Sequence, residues 1–242
     1  MKRTLAVALR VAQQLSHDHR SMALIVVMPA LLLSVFYWVY ESRPDIFNHI
    51  GPALIGLFPF TIFFLITSVT MVRERTSGTL ERLMTTPIRC GELIAGYTLA
   101  LSIASFVQAV ITTAVGVWLL GLDLAQPWGV LFLAVVSSIV GTALGLLASA
   151  FARTEFQAVQ FMPLAIIPQF LLCGLLVPRD QMVAPLYWLS EMLPLSHLID
   201  AFDTVTTESD VSSELLVKVG VQVIFALGFL TLASLTLPRK TA

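Results

Sequence analysis

The side chains that could do chemistry are concentrated in one short stretch, residues 73–89. It reads RERTSGTLERLMTTPIR, in which arginine and glutamate are mixed with hydroxyl side chains. Leu80 and Leu83 follow at the spacing of a short helix, and Pro87 ends it. Apolar side chains would supply contact area and charges would fix the register on a soluble partner, so the stretch indicates docking rather than catalysis. A plain stop-transfer cluster is the alternative, but it would need only the basic residues.

The rest of the sequence offers no familiar catalytic or metal-binding pattern. It contains no G-x-x-x-x-G-K-[ST] phosphate loop, no H-E-x-x-H and no nucleophile elbow. Cys90 and Cys173 lie near different ends of separate apolar stretches, which predicts neither a disulfide nor a metal site. Asp200 and Asp203 could in principle bind a cation, but a solvated acidic face is favoured. The sequence therefore predicts no catalytic residue, no metal ligand and no cofactor held by this chain.

Composition indicates which elements must position the 73–89 stretch. Of the 242 residues, 57% are hydrophobic and only 12% are charged, and the mean hydropathy is +0.88. A soluble chain of this size could not bury so much apolar surface, which excludes a soluble enzyme or a nucleic-acid-binding protein and makes the lipid bilayer a partner. A bilayer core of about 30 Å needs roughly 20 apolar residues per helix. Six stretches meet that need: 22–40, 50–72, 93–122, 128–151, 156–177 and 215–237.

We therefore predict an all-α polytopic membrane protein with six transmembrane helices in one domain, residues 1–242. Residues 1–20 carry a basic arc and an apolar arc at helical spacing, which is typical of an amphipathic helix lying in the membrane interface. Contact with a cytoplasmic partner is the alternative role for this helix. Residues 178–214 contain two apolar sets that meet at Pro194. They predict an outer re-entrant helical hairpin, because such backbone is tolerated where protein covers it.

The few charges are distributed unevenly across the predicted membrane. Alternating the spans puts 11 basic and five acidic residues on the side of both termini, and three basic and ten acidic residues on the other side. The positive-inside rule then places both termini in the cytoplasm. Trp38, Trp118 and Trp128 lie at the outer ends of spans, as the residues of an aromatic belt do.

The predicted spans contain no aspartate, glutamate or arginine. Secondary carriers and intramembrane enzymes normally keep ionisable groups at depth, because their chemistry needs them. We therefore expect the energy for any transport to arrive from outside the membrane domain. A carrier or channel that works alone is a weaker alternative, and so is a membrane-bound enzyme acting on lipids.

Residues 73–87, placed directly after the second span, resemble the signature of the membrane subunit of an ABC type-2 exporter, the permease of the drug-resistance or multidrug class. The sequences CGLLVP at 173–178 and LPLSHLIDA at 193–201 resemble that family's second signature and follow in the right order. The resemblance implies that 73–89 is a cytoplasmic coupling helix that docks on a separate ATPase subunit. The coupling residues that it implies are Arg73, Glu74, Arg75, Gly78, Thr79, Leu80, Glu81, Arg82, Leu83 and Pro87.

The same resemblance implies a unit of two permease subunits, identical or homologous, and two ATP-binding subunits, in a bacterial-type cytoplasmic membrane. ATP and Mg would be bound by the ATPase partner, and this chain would be a transport subunit rather than an enzyme. The cargo would be an amphipathic or apolar small molecule, drug- or lipid-like, leaving the cytoplasm along the dimer axis. Polysaccharide or a lipid-linked sugar is the alternative cargo, and an ATP-independent secondary carrier is the weaker alternative mechanism. The implied path residues, with lipid contact or helix packing as the alternative for each, are Phe60, Phe63, Phe64, Thr67, Gln160, Phe161, Gln169 and Phe170.

Overall fold

The computed structural model describes residues 2–85, 88–207 and 213–236, and this part of the chain is helical throughout, without strands. A π-helical turn at Val115–Leu119 and a 3-10 turn at Arg179–Gln181 interrupt the series of α-helices. The α-helices are α1 (Lys2–His17), α2 (His19–Val39), α3 (Pro44–Thr76), α4 (Thr79–Met84), α5 (Cys90–Ala114), α6 (Pro127–Phe151), α7 (Glu155–Leu172), α8 (Ala184–Glu191), α9 (Pro194–Thr207) and α10 (Ser213–Thr236).

Five helical segments in the described part are long and apolar enough to cross a membrane. They coincide with the first, second, third, fourth and sixth predicted spans. Helix α3 has 33 residues, which makes it about 50 Å long, so it extends beyond a hydrocarbon core of about 30 Å. The all-helical fold is confirmed, and the five segments are Met22–Val39, Pro44–Thr76, Cys90–Leu119, Pro127–Phe151 and Ser213–Thr236.

Helix α7 occupies the place of the fifth predicted span but is not among these five segments. It has 18 residues, so it is shorter than α2, α3, α5, α6 and α10, and it contains three glutamines and two internal prolines. It ends before Cys173, and the chain turns at Gly174, whose φ is +97°. The end predicted at residue 177 is therefore too late, and membrane crossing by α7 stays a prediction.

The centre of the fold is the contact between α3 and α6. Gly141 and Gly145 of α6 bring the two backbones close together. A Cβ at Gly141 would lie 2.2 Å from the carbonyl oxygen of Phe60, and a Cβ at Gly145 would lie 2.5 Å from that of Phe64. Small residues one turn apart are a usual means of close helix packing in membranes. Helix α3 is thereby enclosed, since it also contacts α2, α5, α7 and α9.

Gly141→Ala is expected to lower the melting temperature in detergent by roughly 2–12 °C, because an added methyl group has no room against the backbone of α3. The matched control is Gly220→Ala on α10, where an added Cβ meets nothing within 4 Å. Alanine is the better helix former, so the control variant should melt no lower than the wild type. Equal melting temperatures for the two variants would contradict the close α3–α6 contact.

Helix α1 lies along α5. Its residues Val7, Ala8 and Val11 are buried, whereas Leu5 and Leu9 are 53% and 56% exposed. The helix thus has one strip bound to protein and a second apolar strip that is open. The open strip fits the prediction of an interfacial helix, which stays a prediction.

Residues 178–214, the predicted outer segment, contain the two helices that their sequence predicts, and these helices meet at Pro194. Helix α9 buries Leu198 and Phe202, whereas Trp188 of α8 and Met192, directly after α8, are exposed. Residues 208–212 of this segment lie outside the described residues. A re-entrant position in the membrane stays a prediction.

Candidate functional site

Three consecutive charged residues end α3, and each bonds to a different part of the chain. Arg73 contacts Glu155 at the start of α7, with two N–O distances of 3.0 Å. Arg75 donates to the backbone carbonyl of Ala152 at 3.3 Å and to that of Ser149, at the C-terminal end of α6. The guanidinium of Arg75 thus satisfies carbonyls that a helix end leaves without intrahelical partners.

The middle residue, Glu74, links α3 to α1. Its carboxylate accepts hydrogen bonds from Arg10 at 2.8 and 3.0 Å, and its side chain is only 4% exposed. The Tyr97 hydroxyl lies beside this pair without a hydrogen bond of ordinary geometry to either partner. A buried carboxylate is costly without its counter-charge, so this ion pair holds α1 against the end of α3.

Gly78 separates α3 from α4. Its φ of +73° lies in the left-handed region, which glycine adopts more easily than any residue with a Cβ. The stretch predicted as one coupling helix over 73–89 is therefore two pieces, the last turn of α3 and the short α4 (Thr79–Met84). Pro87, predicted to end the helix, lies outside the described residues.

The exposed face of this region differs from the predicted one. Leu80 is buried and Leu83 is partly buried in the same cluster as Met71 and Tyr97, so the apolar side of α4 packs on the chain's own core. These leucines were expected to contact a partner. In the structure, the surface that a partner could contact is formed instead by polar and basic side chains. Thr79 is partly exposed, the side chains of Glu81 and Met84 are not described, and the exposed residues after Arg75 in this region are Thr76, Ser77, Arg82, Thr85 and Arg89.

The predicted path residues of α3 face the interior of the chain. Phe60, Phe63, Phe64 and Thr67 are each no more than 1% exposed. They are buried because α3 lies at the centre of the fold and other helices of the chain cover the side of α3 that carries them. None of the four reaches a surface of the single chain, so the expectation that they line a path does not fit their burial.

The predicted path residues of α7 are divided between surface and interior. Gln160 is exposed, Phe161 and Phe170 are partly buried, and Gln169 is 4% exposed with its side-chain amide donating to the Ala165 carbonyl at 2.8 Å. Between residues 58 and 69 of α3, the apolar side chains that are partly exposed form a stripe at helical spacing that was not singled out by the sequence. They are Phe58, Ile62, Leu65 and Val69.

The profile of the ABC-2 type transporter family matches residues 2–206, most of the chain. The chain belongs to this family. The matched region contains the charged end of α3, α4 and both outer helices. The resemblance noted in the sequence is thereby confirmed, and the chain is a multi-pass membrane protein of the ABC-transporter type.

Individual ABC-2 relatives are distant and longer. The Escherichia coli K12 protein named probable multidrug ABC transporter permease YbhR is 29% identical over 164 residues, which are 66% of this chain and 44% of YbhR. The Bacillus subtilis linearmycin resistance permease protein LnrN is 24% identical over 172 residues, 69% of this chain and 45% of LnrN. ABC transporter G family member 20 of Dictyostelium discoideum is 28% identical over 151 residues, 62% of this chain and 21% of that protein. The chain thus spans less than half the length of these relatives.

A second charged cluster in this ABC-2 chain lies in the outer segment, around Arg179. The guanidinium of Arg179 donates to the Ser190 hydroxyl at 3.0 Å and to the carboxylates of Glu191 and Asp200. It also lies over the Tyr187 ring, 5.4 Å from the centroid. One side chain that is only 11% exposed therefore ties the 3-10 turn to both α8 and α9.

Asp200 is therefore a paired, partly buried residue, which corrects the expectation of a solvated acidic face. Burial raises the pKa of Asp200 above its ordinary value, although Arg179 and Lys218 oppose the shift. Burial also raises the pKa of Asp203, against the opposing charge of His49. In the described part of the chain, no group of three or more histidine, cysteine or carboxylate side chains could hold a metal ion.

Asp203→Asn is expected to leave the melting temperature at pH 7 equal to or above that of the wild type, because burial disfavours the ionised carboxyl in the folded chain. A carboxyl whose pKa is raised by folding stabilises the fold below its unfolded pKa, near 3.8, and loses that contribution as pH rises through its folded pKa. Melting curves between pH 4 and 8 should therefore show a weaker pH dependence for Asp203→Asn. A variant that is less stable at every pH would contradict the prediction.

Proposed function

We propose that the chain is the membrane-spanning permease subunit of an ABC exporter that moves an amphipathic or apolar small molecule out of the cytoplasm. ATP and Mg would be bound and used by a separate ATP-binding subunit, present in two copies. A second permease subunit, identical or homologous, would complete the assembly. In this proposal the protein resides in a bacterial-type cytoplasmic membrane with both termini on the cytoplasmic side.

The observation that carries the proposal is the junction at the end of α3. A short helix follows the left-handed Gly78, and the three charged residues just before that glycine bond separately to α1, α6 and α7. A force applied to α4 would therefore be transmitted to several helices at once, including the central α3. This is the arrangement that a membrane subunit needs if its energy arrives through an external motor.

The surface offered to that motor would be polar and basic. Arg82 and Arg89 are exposed together with hydroxyl side chains, while the leucines of α4 hold it to the core. Basic side chains on a rim of this kind favour an acidic partner surface and set the register of docking. We therefore place the ATPase contact on Thr76, Ser77, Arg82, Thr85 and Arg89.

The cargo path is proposed along the surface stripe of α3 and the neighbouring face of α7. The stripe Phe58, Ile62, Leu65 and Val69 replaces the buried Phe60 and Phe64 as its α3 wall, and Gln160 supplies a polar group from α7. A mostly apolar lining with few polar groups suits amphipathic cargo. The multidrug and linearmycin-resistance names of two relatives support cargo of this kind.

The proposed topology has α7 as the fifth of six spans. The exposure of Trp118 (86%) and Trp128 (82%) at neighbouring helix ends fits an aromatic belt at the outer interface. The basic residues around α1 and α4 fit a cytoplasmic position for the opposite side. Labelling of single cysteines introduced at Trp128 and at Arg89, with a membrane-impermeant maleimide on intact cells, should modify only the first.

The proposal is tested by reconstituting the chain in vesicles with its ATP-binding subunit and following transport of a fluorescent amphiphile. We expect ATP-dependent transport that falls about tenfold in Arg82→Glu/Arg89→Glu, the loss for about 1.4 kcal/mol of docking energy. Arg43→Glu, which reverses an exposed charge on the proposed outer side, is the control and should transport normally. Transport by this chain alone, driven by an ion gradient, would overturn the proposal in favour of a secondary carrier.

A further inference from the structure

A cavity of about 360 Å³ lies where α6 ends and α7 begins. Two aromatic rings belong to its wall, those of Phe151, the last residue of α6, and Phe161 of α7. The polar wall residues are Arg153, Gln157 and Gln160. They are exposed, as is Phe151, so the cavity is open to the surface. Its volume lies within the range of about 300–1,000 Å³ that is usual for small-molecule sites.

Arg153 gives this cavity a positive charge that the described part of the chain does not neutralise. Among the described wall residues it alone is charged, and its guanidinium forms no ion pair or hydrogen bond with them or with other described residues. Glu155 is the nearest carboxylate in the sequence, but it accepts two hydrogen bonds of 3.0 Å from Arg73. The guanidinium at the cavity wall is therefore available to an anion.

Gln157 adds a hydrogen-bond donor to this wall. Its Oε1 atom accepts from the backbone N–H of Arg153 at 2.8 Å. Since a backbone N–H can only donate, this contact fixes which end of the amide is the oxygen, and the Nε2 group is the end that remains for a ligand. An amide donor and a guanidinium in one wall favour a group that only accepts hydrogen bonds, such as a carboxylate, a sulfonate or a phosphate.

The cavity adjoins both the charged end of α3 and the proposed cargo path. The link that carries Arg153 is held by Arg75, which donates to the Ala152 carbonyl at 3.3 Å. Phe161 packs in one small cluster with Val69, a residue of the proposed path wall. A molecule bound here would therefore contact the beginning of the path and lie beside the residues that we expect to move with α4.

We propose that cargo enters the path through this cavity and that the cavity selects anionic amphiphiles with an aromatic body. The acidic group would bind the guanidinium of Arg153, and the apolar body would lie against the rings of Phe151 and Phe161. This inference rests on the proposed function, because it takes the path to run along α3 and α7. It narrows the cargo from amphipathic or apolar molecules in general to those that carry a negative charge.

The test compares two photoreactive probes with the same benzophenone body, the anion 4-benzoylbenzoate and the uncharged 4-benzoylbenzamide. The full chain is used in phosphatidylcholine nanodiscs without its ATP-binding subunit. Mass spectrometry locates the residues to which light attaches each probe. We expect attachment within residues 151–161, and at low probe concentration about tenfold more of it from the acid than from the amide, the ratio for about 1.4 kcal/mol of binding energy.

Arg153→Gln should reduce labelling by the acid about tenfold and leave labelling by the amide unchanged, because it removes the charge of an exposed side chain. Arg153→Lys should keep part of the acid labelling, since an ammonium attracts the acid but lacks the planar fork of a guanidinium. Arg43→Gln is the matched control, the same change at an exposed arginine that does not line the cavity, and should label normally.

Equal labelling by the two probes, or acid labelling that survives Arg153→Gln, would overturn the selection by charge. Attachment outside residues 151–161 would overturn the site. Native mass spectrometry with phosphatidylglycerol tests the other source of an anion. Retention of this lipid by the wild type but not by Arg153→Gln would show that a lipid head group occupies the cavity, and would overturn the assignment to cargo.

ATP-driven transport of a fluorescent amphiphile is measured separately in the reconstituted complex with the ATP-binding subunit. Absence of acid labelling while this transport is intact would overturn the cavity assignment and leave the proposed function standing. Labelling as expected without any ATP-driven transport would overturn the proposed function, and with it the role of the cavity in cargo uptake.

Discussion

Arg10→Ala is expected to destabilise the chain by about 3–5 kcal/mol, because it leaves the carboxylate of Glu74 buried without a counter-charge. The melting temperature in detergent should fall by roughly 6–20 °C for a chain of this length. The reverse variant, Glu74→Ala, should cost less, about 2–4 kcal/mol, since the Arg10 side chain is 33% exposed and keeps part of its hydration. The order of the two effects follows from which partner is more deeply buried.

The control for this pair is the neighbouring contact between Arg73 and Glu155. Their side chains are 56% and 42% exposed, so Arg73→Ala should cost no more than about 1 kcal/mol. An apolar double variant, Arg10→Met/Glu74→Leu, should recover most of the stability lost by either alanine variant, because a buried ion pair can be replaced by well-packed apolar side chains. A loss in Arg10→Ala no larger than that in Arg73→Ala would show that the Glu74 carboxylate is not confined as described.

If the link between α1 and α3 is a mechanical anchor, ATP-driven transport should return in the double variant together with stability. Transport that stays absent while the melting temperature recovers would indicate that the charges themselves are needed. The two readouts therefore separate anchoring from an electrostatic role, which Glu74→Ala alone cannot do.

The long helices could be predicted from the sequence because each depends on one local property, a run of apolar residues of sufficient length. The C-terminal end of α3 could not be predicted in this way, because the turn at 73–76 is charged and is held by contacts with Arg10, Ala152 and Glu155, which lie far away in the sequence. Helix α7 is the opposite case, in which a predicted span is less clear in the structure. Its glutamines reduce its mean hydropathy, so apolar content alone does not establish it as a span.

The coupling role of residues 73–89 stays a prediction, but the sequence pattern predicted the wrong face of α4 to lie at the surface. Leu80 and Leu83 are the residues that a docking helix would offer to a partner, and the structure buries them in the chain's own core. A six-residue helix has too few contacts to stay in place unaided, so it must use its apolar side for attachment. The burial of Phe60 and Phe64 could not be predicted from the sequence either, because Gly141 and Gly145 of α6, which pack against them, are distant in sequence.

Gly78→Pro is expected to abolish ATP-driven transport while changing the melting temperature of the membrane domain by only a few degrees. Proline fixes φ near −65°, and Gly78 has a φ of +73°, so the turn between α3 and α4 cannot form as observed. The long helices do not pass through this turn, which is why most of the fold should survive. The measurements are transport with the reconstituted ATP-binding subunit and melting of the chain alone.

The variant Gly78→Ala tests the effect of the backbone conformation separately from any steric clash of the added side chain. An added Cβ meets nothing within 4 Å at Gly78 or at Gly91, but only Gly78 has a positive φ. In Gly78→Ala, the left-handed conformation should therefore cost about 1–2 kcal/mol. If the observed turn is the active one, ATP-driven transport should fall roughly five- to thirtyfold. Gly91→Ala, in the first turn of α5, should transport normally. Equal transport by the two variants would mean that the path from α4 to α3 does not depend on this turn, and the coupling proposal would then have to rest on the ion pairs alone.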